Sequence, residues 1–281
     1  MGGARFMGVR NLRMWLTLIG LSIFGLLILD FFPGSWVTDS HYINAIVGYA
    51  AVALIFYGLI HFLGLPSLQY FGFKRLRLKG VIALVLVSWL PLYSLIDSGL
   101  VYKSKADLVG GVVFLITLGI GEEMLSRGFV YGVLLKYGQM RAVFFSSLFF
   151  GLMHINVYMP DKVGWDTYYH VFSAFGIGLI MCSVMIASKS FWVPVICHAL
   201  LDWHIPFTKD TPPVDDGATY SLWDNLTGPL SNFATDLLFA LFLLAISRYS
   251  LSNTPRWVNR LAIKWKLVHP PADKFALVGE N

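Results

Sequence analysis

Apolar runs of about 20 residues, almost free of charge, recur from one end of this 281-residue chain to the other. That feature leaves few folds open. A helix of about 20 residues spans the hydrocarbon core of a bilayer and satisfies its own backbone hydrogen bonds without water. A soluble domain of this length would carry about a quarter of its residues as charges. Here the share is 13%, against 57% hydrophobic, so composition excludes the soluble-enzyme class. The formal net charge of +5 would suggest nucleic acid in a soluble protein. Here the basic residues sit between the apolar runs, where they set topology, and no nucleic-acid partner is expected. The expectation is an all-α, polytopic membrane protein with about eight transmembrane helices.

The eight segments are 12–32, 42–63, 80–97, 109–135, 141–159, 167–187, 190–206 and 229–247. The first is longer than the apolar core of a secretory leader. It ends in Asp30-Phe31-Phe32-Pro33-Gly34 rather than a small-residue cleavage site, and so reads as a retained span. With the N-terminus in the cytoplasm, the inner segments hold Arg5, Arg10, Arg13, Lys74, Arg75, Arg77, Lys79, Lys136, Arg141, Lys189, Arg248, Arg256, Arg260, Lys264, Lys266 and Lys274. The outer segments hold only Lys103, Lys105, Lys162 and Lys209, and Arg127 falls inside a span. This bias predicts that both termini are cytoplasmic. Residues 1–108 form the N-terminal helices and a basic linker, 109–206 a central core, and 207–281 an outer loop, the last span and a tail. Tyr70, Phe71 and Phe73 among the linker's basic residues suit a membrane surface. The outer loop, with Asp210, Asp215, Asp216 and Asp224 around Thr211-Pro212-Pro213, reads as irregular. Cys182 and Cys197 lie in apolar segments and read as small core residues rather than a disulfide.

Segment four holds Gly121-Glu122-Glu123-Met124-Leu125-Ser126-Arg127-Gly128. A charge at mid-membrane costs about 3 kcal/mol on insertion scales, so these side chains must face the bundle or a wet cavity. Glu123 and Arg127, four apart, share a helix face and can pair. Glu122 is turned by about 100° from Glu123 and escapes that pair, which suits a general base or a proton carrier. Segment five brings His154 in Phe150-Gly151-Leu152-Met153-His154, with Gly151 allowing a neighbouring helix to approach closely. Segment seven brings His198 and Asp202, again four apart on one face. A membrane His can be a plain helix–helix hydrogen bonder, and a Glu–Arg pair can be structural. Six ionisable groups on three spans exceed what packing needs. His170, Asp236 and Asn156 read as packing or interfacial residues beside that set.

Taken together, Glu-Glu-x-x-x-Arg, Phe-x-x-x-His and His-x-x-x-Asp on successive helices resemble the CAAX-prenyl-protease and bacteriocin-immunity family of intramembrane proteases, the CPBP or Abi family. The motifs cover about residues 115–205. The resemblance implies peptide-bond hydrolysis inside or beside the membrane, with the active site within the bundle and a membrane-associated peptide or protein as substrate. In the eukaryotic relatives that substrate is a prenylated C-terminal tail. Carried over, Glu122 and His154 activate a water, and His198 and Asp202 stabilise the oxyanion. Glu123, Arg127 and Phe150 support them. Prenyl-processing members have Asn at the last position. An ionised Asp202 has no proton to donate, so it is protonated or acts through His198. No cofactor is expected. The alternative is a zinc ion on Glu122, His154 and His198, a sufficient ligand set, although the compact His-Glu-x-x-His pattern is missing. The short loops fit a bacterial inner membrane. Two rival functions remain: a non-catalytic scaffold or bacteriocin-immunity protein, and a proton-coupled transporter. The transporter would predict an inverted repeat, which the sequence lacks.

Overall fold

The structure, a computed structural model, describes residues 41–72, 78–102, 104–155, 165–207 and 222–248, with isolated residues 16, 20, 260, 263 and 264. The expected first span, the linker's residues 73–77, Asn156, the outer loop's residues 208–221 and most of the tail lie outside the described residues. All regular structure among the described residues is helical. Helix α1 runs His41–Phe62 and is followed by a 3-10 turn, Pro66–Tyr70. Helix α2 is Leu78–Ser98. Helix α3, Lys105–Glu123, starts at Ser104, whose hydroxyl accepts from the Asp107 backbone N–H at 3.1 Å. It passes without a break into a π-helical turn, Met124–Val130, then α4, Tyr131–Leu134, and a last 3-10 turn, Leu135–Tyr137. Gly138, at φ 108°, reverses the chain where a side chain would be strained. Then follow α5, Gln139–Met153; α6, Trp165–Ser188; α7, Trp192–Leu201; α8, His204–Phe207; and α9, Leu222–Arg248.

Four helical stretches among the described residues are long and apolar enough to cross a membrane: Ile43–Phe62, Lys105–Tyr137, Thr167–Ser188 and Leu226–Ser247. The chain is therefore an all-α, polytopic membrane protein. The expected count of eight is corrected. Segment 80–97 is α2 but is not among the four. Segment 141–159 is α5, a helix of 15 residues, and segment 190–206 holds α7, of 10 residues, with the one-turn α8. At about 1.5 Å per residue neither α5 nor α7 reaches across a hydrocarbon layer of about 30 Å. Both stop where polar chemistry begins. The residue that ends α5 is His154, and the residue that ends α7 is Asp202. Helix ends at membrane depth are tolerated only inside protein or beside a wet cavity.

Small residues set how closely the helices approach. A Cβ on Gly121 would meet the Tyr49 carbonyl oxygen of α1 at 2.9 Å, and one on Gly119 the Val195 carbonyl of α7 at 3.0 Å. One on Gly151 would meet the Val171 carbonyl of α6 at 2.8 Å, which is the close approach expected at that residue. The contacts also give directions. Tyr49 packs on Gly121 and Phe56 on Phe129, so α1 runs parallel to α3 and its continuation. Tyr169 meets Asn232, and Phe172 meets Phe233, so α6 and α9 are parallel. In contrast α5 is antiparallel to α6, with Gly151 against Phe175 and Ser146 against Cys182. Both cysteines are free and buried, as their apolar settings led one to expect.

Candidate active site

The carboxylates of the first and third motifs meet around one imidazole. His198 of α7 donates through Nδ1 to Glu123 Oε1 at 2.8 Å. Its Nε2 lies 3.1 Å from Asp202 Oδ2 and 3.6 Å from Glu122 Oε2. Two hydrogen bonds along Glu123–His198–Asp202 need two protons on that chain, whichever groups hold them. Arg127 Nη1 closes the cluster at 3.0 Å from Glu123 Oε1, and both side chains are fully buried. The expected i,i+4 pairs, Glu123–Arg127 and His198–Asp202, both form. Glu122 is not drawn into the arginine pair and is 22% exposed.

The π-helical turn that follows Glu123 carries Arg127. Such a wide turn is uncommon and is found mostly at functional sites. The 3-10 turn Pro66–Tyr70 braces it: the fully buried Ser67 hydroxyl donates to the Gly128 carbonyl. Arg127 Nη2 donates to the Gly178 carbonyl of α6 at 3.2 Å, tying the turn to a second helix.

Phe150 explains the spacing of the second motif. Its carbonyl accepts from His154 Nδ1 at 2.8 Å. A carbonyl only accepts, so Nδ1 carries the proton, and in the neutral ring Nε2 keeps its lone pair. The Phe150 ring lies under the Arg127 guanidinium, 4.4 Å from centroid to Cζ. It also meets both imidazoles edge-on, at 4.7 Å for His154 and 5.7 Å for His198. One aromatic residue thus joins all three motifs.

A cavity of about 210 Å³ is walled by Tyr49, Glu122, Leu125, Ser126, Phe150, Met153 and His154. Glu122 and His154 share this wall. His198 and Asp202 do not belong to it; they stand behind Glu122. Tyr49, whose hydroxyl interacts with the Glu122 carboxylate, went unread in the sequence because a Tyr within an apolar run carries no mark. His170 also joins the site, its ring stacked on His154 at 5.0 Å between centroids. Asp236 instead packs against Gly176, away from these groups. Asn156 lies outside the described residues.

The residues do not fit the alternative zinc set. Both His198 nitrogens face carboxylates and His154 Nδ1 is bound to a carbonyl. No group of three His, Cys, Asp or Glu side chains among the described residues is arranged to hold a metal ion.

Fold and site together define a membrane-embedded helical bundle with an acid–histidine centre beside a cavity. The family model described as Type II CAAX prenyl endopeptidase Rce1-like matches residues 104–204, a little over a third of the chain, and all three motifs fall inside the match. The segment that builds the site is therefore similar to that family, as the motifs imply. No curated protein matches the chain.

Proposed function

We propose that the chain is a glutamate-dependent intramembrane endopeptidase that hydrolyses a peptide bond in a membrane-associated substrate. The observation that carries this reading is the shared wall: Glu122 and His154, from two different helices, border one cavity of about 210 Å³, large enough to hold water. A carboxylate and an imidazole with a free Nε2 are a sound pair for activating water. Glu122 takes a proton from the water, and the hydroxide oxygen bonds to the carbonyl carbon while the carbonyl electron pair moves onto oxygen. His198, beside Glu122, and the Tyr49 hydroxyl supply the nearby positive charge and donor that stabilise this oxyanion. As the C–N bond breaks, the proton passes by way of His154 to the departing amine. Asp202 holds His198 in place. Glu123 and Arg127 hold the helix that carries Glu122.

An apolar cleft of about 430 Å³ lies between α2, α3 and α7, walled by Leu95, Ile116, Ile120, Val195, Ala199 and Trp203. It suits the lipid chain of a lipidated substrate, the class that the matched family's description names. The short loops fit a bacterial inner membrane, and the charge bias supports both termini in the cytoplasm. The parallel run of α1 and α3, and that of α6 and α9, means that the chain reverses between the members of each pair.

The test uses the purified full chain in nanodiscs with a fluorogenic farnesylated CAAX-type peptide and an unlipidated control. The chain cleaves the lipidated peptide, and Glu122→Gln lowers kcat by at least about 100-fold with an unchanged melting temperature. Equal cleavage by Glu122→Gln, or peptide binding without cleavage by the parent, would instead favour a scaffold.

A further inference from the structure

Resting on the reading of this site as a hydrolase, we propose that His170 is a positioning residue for His154. None of the three motifs contains it. It projects from the second turn of α6, an element that contributes no motif residue. Its ring lies almost parallel to that of His154, with 29° between planes and 5.0 Å between centroids. Among the described residues, His154 and Asp202 lie near enough to act on His170 electrostatically, so it neighbours both the second and the third motif.

The need for such a residue follows from how His154 is held. It is the residue that ends α5, and its backbone N–H returns to the Gly151 and Leu152 carbonyls. One hydrogen bond, from Nδ1 to the Phe150 carbonyl, fixes one edge of the ring. A ring held at one edge can still swing about that bond and carry Nε2 out of the cavity. Phe150 meets the imidazole edge-on and blocks one direction. The flat face of His170 blocks the other. The approach of α5 to α6 that makes the stack reachable is set at Gly151, against Val171 and Phe175. His170 thus keeps the His154 lone pair aimed at the water that Glu122 also faces. Its contribution is a flat surface, and its own nitrogens take no part in the proton transfers.

Three full-length proteins in nanodiscs test this: parent, His170→Ala and His170→Phe. Two measurements are made on each: cleavage of the farnesylated fluorogenic peptide, and ¹⁵N NMR of the His154 ring, identified by its loss in a His154→Gln sample. His170→Ala is expected to lower kcat about tenfold with KM within twofold, the signature of a misaimed reacting group. Its His154 resonances move from the Nδ1–H tautomer toward a mixture. His170→Phe, which keeps a flat ring, restores the tautomer and most of kcat. An unchanged tautomer in His170→Ala, or a His170→Phe protein as slow as His170→Ala, would overturn the proposal. If the parent cleaves no peptide, the hydrolase reading fails, while the NMR comparison still decides whether His170 orients His154.

Discussion

The two adjacent glutamates divide the work by what each touches. Glu123 is fully buried between Arg127 and His198, whereas Glu122 borders the cavity. Their substitutions should therefore fail differently. Glu123→Gln leaves the Arg127 guanidinium buried with its charge uncompensated and should cost about 3–5 kcal/mol. It will read as a lower melting temperature and poor recovery from the membrane, before any assay of cleavage. Glu122→Gln should leave stability alone. At this scale the sequence was informative wherever spacing coded for contact: the i,i+4 pairs followed from helix periodicity, while the joint role of Glu122 and His154 came only from the resemblance of the three motifs. Tyr49 and His170 came from neither, because each reaches the site across a helix packing that no local pattern records.

Among the elements, the π-helical turn and the two short helices decide where the chemistry sits. Segment four already stood out for its length and its charges, but periodicity cannot reveal that the ladder shifts register after Glu123. Ser67→Ala, which removes the hydroxyl from the Gly128 carbonyl, should destabilise by about 1–2 kcal/mol, measured by thermal unfolding in detergent. Gly151→Ala drives a methyl toward the Val171 carbonyl and the Phe175 side chain. Pushing α5 off α6 should cost about 1–3 kcal/mol and should disturb the His154–His170 stack, giving a lower kcat than the stability loss explains. The premature ends of α5 and α7 were hidden because His154 and Asp202 lie in runs apolar enough to read as continuing helix. Hydropathy reports the solvent that surrounds a segment. It is silent on where a helix unwinds inside its own protein.

For the whole molecule, the proposed arrangement of inside and outside rests on the charge bias and can be tested directly. Single cysteines at Lys136 and Lys189, introduced in a background lacking Cys182 and Cys197, should react with a membrane-impermeant maleimide only after the cytoplasmic face is opened. One at Lys103 should react in intact cells. Labelling of all three from the same side would break the arrangement. Hydropathy made the class of fold plain and the number of crossings less so. A run that is apolar in sequence can become a full span, a short re-entrant helix or a bent one, depending on its neighbours.

The ends of α5 and α7 have a consequence for how a reaction here would finish. The last carbonyls of a helix carry about half a negative charge, and two such ends meet at His154 and Asp202, next to three acidic side chains. Cutting an amide turns a neutral group into an acid. The fragment bearing the fresh carboxylate is then repelled by Glu122 and by these helix ends, whereas the cationic amine is the half that lingers.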